Sequence, residues 1–429
     1  MSLHILPQDQ TFWYLKEHDV EPLRQNLSTD VVVIGGGIAG LSAAQSFSEK
    51  GLDVVLLEKN YCGSGASGKS SGFIVPDSEL PLSALMDMYG KDDARKLWEF
   101  VNFGVSFIQN NILKFDIKCD YQLQDTLVLA SSKSSFTKTI KKEYETRSKL
   151  GYESKLYSQD QLSSALGSSS YYGGLSYTGT FSINAYMYCQ GMKKVLKGKG
   201  VRIYEETPAL EIADREVKTS LASIRAKHII VCVDHFMPFL KRLAYEVYHV
   251  QTFLMISNPL SNDHIKAIFP AKNYMAWDTD LIYKYFRLTG DNRLLLGGGS
   301  LLYTYAKKEK HNSLLLSNKL SNYYKSKFPN LPITFEYIWP GLIGISKDLL
   351  PIAGHDINDS SIYYICAATG LPWAAALGNY SAESIINNET KLDNYFSPYR
   401  KFVLGHLAQS LLGTRLIFAL SNFMRVGSL

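Results

Sequence analysis

Glycines at 35, 37 and 40 follow the β-branched run Val31-Val32-Val33-Ile34, and an acid, Glu58, closes the next apolar run. No other grouping in the sequence carries as much chemistry. This spacing suits gripping the diphosphate and ribose of a dinucleotide. Gly35 permits a tight turn, Gly37 lets the backbone approach a diphosphate, and Gly40 lets the following helix sit close to its strand. A helix over 38–50 would aim its first N–H groups, at Ile38 and Ala39, and its positive dipole end at the phosphates. Glu58, followed by Lys59, stands where a carboxylate can accept hydrogen bonds from ribose hydroxyls.

These residues need a strand, a turn, a helix and a second strand to hold them. Val31 to Ile34 suit a strand buried on both faces. Ala43 and Ala44 keep the inner helix face thin, Gly51 suits a C-cap, and 53–57 reads as the second strand. Further on, the spacing of Leu97, Phe100, Val101, Val105 and Ile108 predicts a helix over 91–113. A strand is expected over 125–130, a helix over 136–150, and a capped helix start at Ser158. A second helix-then-strand passage covers 185–204, with another strand over 228–233, and should rejoin the first sheet. Antiparallel strands are expected over 247–256 and 281–299, the latter folded at Thr289-Gly290-Asp291-Asn292. A helix led by Gly370-Leu371-Pro372 follows near the end.

Composition narrows the function. At 429 residues, with 46% hydrophobic and 20% charged residues, the chain suits a soluble enzyme of two or three domains. A net charge of +5 with scattered basic residues does not call for nucleic acid, and Lys307, Lys308 and Lys310 read as a solvated loop. Five separated cysteines and nine unclustered histidines suggest neither a disulfide framework nor a metal, and fit a reducing cytoplasm. No signal peptide is visible. Residues 402–426 are apolar but interrupted by His406, Gln409, Ser410, Arg415 and Asn422. They read as a docked or surface-lying helix rather than a span.

Three separated blocks resemble the FAD-dependent amine and amino-acid oxidoreductases of the D-amino-acid oxidase, glycine oxidase and sarcosine oxidase superfamily, most closely its gamma-glutamylputrescine oxidoreductase type. The first is Val31–Gly40 with Val54–Glu58 and Gly65-Ala66-Ser67-Gly68. The second is Tyr285-Phe286-Arg287-Leu288-Thr289 with Asp291–Gly299. The third is Trp339-Pro340-Gly341, Asp348, Pro351, Gly354 and Thr369-Gly370. The resemblance implies an α/β protein (α+β overall): a Rossmann-like, glutathione-reductase-like FAD-binding domain plus an antiparallel-sheet substrate domain. Expected boundaries are an arm over 1–27 anchored by Phe12, Trp13 and Tyr14, and a discontinuous FAD-binding domain over 28–80, 176–240 and 336–390. The substrate domain would take 81–175 and 241–335, and an amphipathic helical tail 391–429.

It also implies roles. The loop Gly65–Gly72, with Ser67 and Ser71, would pass beside the flavin. Ala209 would meet the adenine through its main chain. Gly341, Gly344 and the helix start at Gly370, Leu371 and Pro372 would face the ring. Relatives that bind flavin covalently do so through a cysteine near Gly341, so noncovalent FAD is expected. Tyr283, Tyr285 and Arg287 would roof the ring, with Arg287 gripping a substrate carboxylate or, alternatively, tying the hairpin to Asp291. Lys69 stands where relatives often carry Arg, and either lines the active site or is a solvated loop lysine. Two departures stand out: Val231–Phe236 where relatives carry a small alanine-glycine sequence, and the bulky Trp373, expected to fill substrate space.

The implied reaction is oxidation of a C–N bond, with hydride passing to flavin N5 and water hydrolysing the imine. The substrate would be an amine or amino acid and the electron acceptor oxygen or another oxidant. No catalytic base can be named. Two alternatives stay open: a flavin-retaining protein without amine turnover, and a dehydrogenase held peripherally on a membrane's inner face by its tail, passing electrons to quinone.

Overall fold

Nucleotide-gripping turns need a rigid strand beneath them, and the sequence supplies one at Leu27–Ile34. The computed structural model describes residues 3–7, 10–14, 20–77, 79–234, 243, 247–280, 282–299 and 313–401. Leu27–Ile34 lies between parallel partners, Val54–Leu57 and Ser223–Cys232. Arg202–Tyr204 extends the sheet beyond Val54–Leu57, and Ile362–Cys366 beyond Ser223–Cys232, both in parallel. Side chains alternate between two cores, as a doubly covered sheet requires. Val31 and Val33 join the helix side, while Val32 and Ile34 join the opposite face with Val55, Leu57 and Ile229. The second α/β passage therefore rejoins the first sheet.

Helix Ile38–Glu49 packs on this sheet, and Leu371–Asn387 packs on that helix. The packing is close because Gly378 has no side chain. A Cβ there would lie 2.4 Å from the Ala39 carbonyl oxygen.

The helix Leu82–Phe115 begins earlier than its periodicity predicts, with a non-helical break at Gly90 just before the expected start. Its N-cap is Pro81, which offers no side-chain acceptor. The carboxylate of Glu143, far along the chain, takes the first N–H groups instead, from Leu82 at 3.3 Å and Ser83 at 2.8 Å. Arg147 holds Glu143 at 2.8 Å and Asp77 at 3.3 Å, and its guanidinium lies 3.8 Å from the Tyr177 ring centroid. Burial raises the Asp77 carboxyl to about 6, although the Arg147 charge opposes the shift.

Among the described residues, a second sheet of nine strands carries the antiparallel elements. Its centre runs Phe335–Ser346, Val247–Pro259, Arg293–Gly299, Tyr285–Leu288, then Tyr274–Asp278. The expected hairpin is present, with Arg287 opposite Leu295 and Tyr285 opposite Gly297. One face is covered by helix Ser313–Lys327 and buries Phe253, Met255, Phe286, Leu288 and Leu296. The other carries Tyr285, Arg287, Leu254 and Trp339, and looks toward the loop after Glu58.

Sheet membership moves several expected boundaries. Phe335–Ser346 pairs with Val247–Pro259, so the segment expected to enter the first sheet at 336 does so only from Ile352. Gly174–Tyr177 also belongs to the second sheet. Helix Leu82–Phe115 buries Leu97, Val101, Val105 and Ile108 in the helix-side core of the first sheet, with Ala43, Phe47 and Leu377. The arm adds His4–Ile5 to the second sheet beside Tyr337, and Phe12 and Trp13 pack on Tyr337 and Trp339. Of the expected helical tail, residues 391–401 hold one short helix, Asp393–Phe396, and dock through buried Phe396 and Arg400, which pairs with Asp348 at 2.7 Å. The basic group at 307–310 and the apolar run from 402 lie outside the described residues. Among the described residues, no helix is long and apolar enough to cross a membrane.

Replacing Arg147 with Met leaves two buried carboxylates without their cation. Urea unfolding should show a loss of about 3–5 kcal/mol. A loss below about 1 kcal/mol, the range of an exposed ion pair, would contradict this account of the helix start.

Candidate functional site

Gly35 ends its strand at φ +112°, a conformation that L side chains rarely adopt, and a Cβ there would lie 2.2 Å from the Cys232 carbonyl oxygen. Gly40 is still more constrained. Its Cβ would stand 1.9 Å from the Gly35 carbonyl oxygen, so only glycine lets the helix start against the turn. At Gly37 a Cβ would come within 3.0 Å of the Ser67 hydroxyl oxygen. That hydroxyl accepts the Ile38 N–H at 3.1 Å. The N–H groups of Gly37, Ala39 and Gly40 meet no acceptor among the described residues, which leaves the helix start chemically open to an anion.

Glu58 is buried at the end of its strand. Its carboxylate accepts N–H groups from Gly36 at 2.7 Å and Asn60 at 2.9 Å, and the Ser64 hydroxyl at 3.3 Å. Desolvation nonetheless raises its pKa, with those hydrogen bonds opposing. Lys59 beside it is exposed. The Thr207 N–H donates to the Glu58 carbonyl at 2.9 Å, which brings the chain leading to buried Ala209 alongside.

Glu205 was not singled out from the sequence. It is buried, accepts the Cys62 N–H at 2.7 Å and pairs with Lys193 at 2.6 Å. It thereby fixes the chain leaving Glu58. Alternation along Ile203-Tyr204-Glu205 puts Glu205 on the same inward side as Ile203, a signal that could have found it.

The loop from Gly65 then turns toward the second sheet. Gly65 and Ala66 keep exposed surface, and a Cβ at Gly68 would strike the Gly63 carbonyl at 2.0 Å. Lys69 is buried, and its carbonyl accepts Trp339 Nε1 at 3.4 Å. Gly341 lies opposite Lys69, 3.8 Å from its Cβ to where a glycine Cβ would be. Ser71 offers its carbonyl to Arg287 Nε at 2.7 Å, and a Cβ at Gly72, φ +74°, would lie 1.8 Å from the Ile183 carbonyl.

Arg287 takes neither expected partner. Its side chain is fully buried and donates to the carbonyls of Ser71, Leu288 (3.0 Å) and Ile183 (2.8 Å), while Arg293, not Arg287, pairs with Asp291. Burial lowers its pKa to about 10. A guanidinium spent on three carbonyls clamps the loop to the sheet and is not presented to a substrate carboxylate. Tyr285 lies on the strand and Tyr283 just before it, their rings 5.7 Å apart.

Trp373 is likewise corrected. It is buried against Phe100 at 6.0 Å and Phe396 at 5.8 Å, so it fills the helix-side core rather than substrate space. Its helix starts at Gly370, φ +102°, with Leu371 and Pro372 opening the first turn. The Thr369 hydroxyl donates to the Gly344 carbonyl at 3.2 Å, and the Gly344 N–H donates to Asp234 Oδ2 at 2.7 Å. Three segments, ending at Asp234, Gly344 and Gly370, therefore converge. Asp234 keeps some exposed surface, yet protein atoms enclose its carboxyl, and desolvation raises it to about 7. His235 and Phe236, in the altered stretch after the strand, lie outside the described residues.

The profile of the family described as "FAD dependent oxidoreductase" (DAO) matches residues 30–384. A probable oxidoreductase OrdL of Haemophilus influenzae is 28% identical over 383 residues, covering 86% of both chains. The gamma-glutamylputrescine oxidoreductase of Escherichia coli is 28% identical over 357 residues, 82% of this chain and 81% of that one. Among solved structures, glycine oxidase from Geobacillus kaustophilus superposes with a TM-score of 0.74 at 16% identity, covering 88% of this chain and 100% of that one. The open helix start, the glycine cradle and the buried Glu58 fit FAD.

Two outcomes follow. Gly40→Ala must push the helix off the turn, so FAD affinity should fall about tenfold or more by fluorescence titration; parent-like affinity would contradict the cradle. For Asp234, a folded-state pKa of about 7 against an ordinary 3.8 gives stability that is present below about 4 and lost as pH rises through about 7. The Tm of the parent minus that of Asp234→Asn should therefore decline across this window. A flat difference would mean the carboxyl is not desolvated.

Proposed function

The chain belongs to the DAO family of FAD-dependent oxidoreductases, and from that premise we propose that it oxidises the C–N bond of an amine or amino acid. What carries this reading is the loop from Lys69 to Phe73, which joins the glycine turn to the second sheet and meets Trp339, Arg287 and Tyr285 in succession. The gamma-glutamylputrescine oxidoreductase and glycine oxidase named above support an amine or amino-acid donor.

Bound noncovalently, FAD would supply the two-electron oxidation, accepting a hydride from the carbon next to nitrogen and leaving an imine for water to hydrolyse. The chain's residues hold and orient. Backbone N–H groups of Gly37, Ala39 and Gly40 would take the diphosphate, Glu58 the ribose, and the main chain at Ala209 the adenine. Gly341 has no thiol to attach the ring. The first turn at Leu371 and Pro372 would offer its positive dipole end to the negative charge that a reduced flavin carries. Lys69, Tyr283 and Tyr285 line the substrate side and exclude water. The amine enters neutral, so no dedicated base is required. Oxygen or another acceptor would then take up the electrons.

Anaerobic mixing with a panel of primary amines, secondary amines and amino acids tests this directly. At least one member should bleach the flavin absorbance in a single saturable phase. A flavin that dithionite reduces but no amine or amino acid does would overturn the reading, in favour of a protein that retains flavin without amine turnover.

A further inference from the structure

With Arg287 turned to carbonyls, the sheet face beneath the loop offers a substrate something other than a guanidinium. Trp277 sits opposite Tyr285 in the sheet, so both rings project to the same side. Phe73, from the loop, stands edge-on to Tyr285 at 5.9 Å and 76°, and 6.1 Å from Trp277. Tyr283 adds a fourth ring and donates its hydroxyl to Glu79 Oε1 at 2.9 Å. All five residues are only partly buried, although protein encloses the hydroxyls of Tyr283 and Tyr285. Four π faces and a carboxylate within one cluster attract a cation and repel an anion.

We infer that Phe73, Trp277, Tyr283, Tyr285 and Glu79 form a subsite for a second, non-reacting ammonium group, which makes the substrate a diamine or polyamine. The inference rests on the amine oxidation proposed above. The held nitrogen is not the one oxidised. Loss of hydride needs a neutral amine, whereas aromatic faces and a carboxylate stabilise the protonated form and would hold it back. The loop supports the separation. Lys69 lies over Phe335–Ser346 and Phe73 over Tyr274–Asp278 and Tyr285–Leu288, so the cluster stands several strands away from Lys69 and Gly341. A flexible methylene chain would span this distance, with one end at the ring and the other in the cluster.

The test compares, in the FAD-loaded enzyme, α,ω-diamines with monoamines and ω-amino acids of equal chain length. Anaerobic flavin reduction at varied concentration separates apparent Kd from the limiting rate. Diamines should bind roughly tenfold more tightly than matched monoamines, with ω-amino acids weakest. Glu79→Gln should shrink that preference to about twofold through Kd, leaving the limiting rate for monoamines unchanged. Equal binding of diamines and monoamines, or a preference untouched in Glu79→Gln, would overturn the subsite while leaving amine oxidation standing. If no amine reduces the flavin, titration with tetramethylammonium still decides the point. Saturable binding heat in calorimetry, weakened in Glu79→Gln and absent with acetate, supports the cation site, and no saturable binding refutes it.

Discussion

The closeness of the Gly40 α-carbon to the Gly35 carbonyl is the constraint on which the rest depends. A side chain would place an atom 1.9 Å from that oxygen, so this helix and this turn coexist only with glycine at 40. The approach sets where the open N–H groups point, and Glu58, fixed by Gly36 and Asn60, sets where the next strand ends. Glu205 and Lys193 then hold the chain that leaves Glu58, and that chain becomes the loop reaching the second sheet. A steric fact at one residue thus propagates into the spacing between cofactor grip and substrate face.

Arg287 shows how the two sheets are joined. Three carbonyls, from the loop, its own strand and the segment at Ile183, converge on one guanidinium. Burying a charge without a carboxylate partner is costly, and its lowered pKa registers that cost. The arrangement persists because each N–H edge used is matched with an acceptor, which makes it a rigid clamp. The consequence for chemistry is negative charge and π density, rather than a cation, at Phe73, Trp277, Tyr283, Tyr285 and Glu79.

Much of this was legible in the sequence, for reasons that differ by residue. Glycine type encodes steric closeness directly, so the tight turn at Gly35 and the close helix at Gly40 follow from residue identity and spacing alone. The continuous β-branched run gave the strand buried on both faces, and Ser158 caps its helix as its hydroxyl suggested, accepting the Gln161 N–H at 3.3 Å. Partners distant in sequence could not be read. The helix at Leu82 starts where Glu143 caps it, and proline at the cap hides that. Arg287 misled because its partners are backbone carbonyls, which carry no residue identity. Trp373 misled because helix position alone does not say which face meets Phe100 and Phe396.

The most direct measurement is the visible spectrum of natively purified protein, followed by acid precipitation. Such protein should be yellow and release its chromophore as FAD into the supernatant, since the open N–H groups at Gly37, Ala39 and Gly40 would grip it and no thiol stands at Gly341. Protein that is colourless, and stays so after incubation with FAD, would contradict the claim at its base.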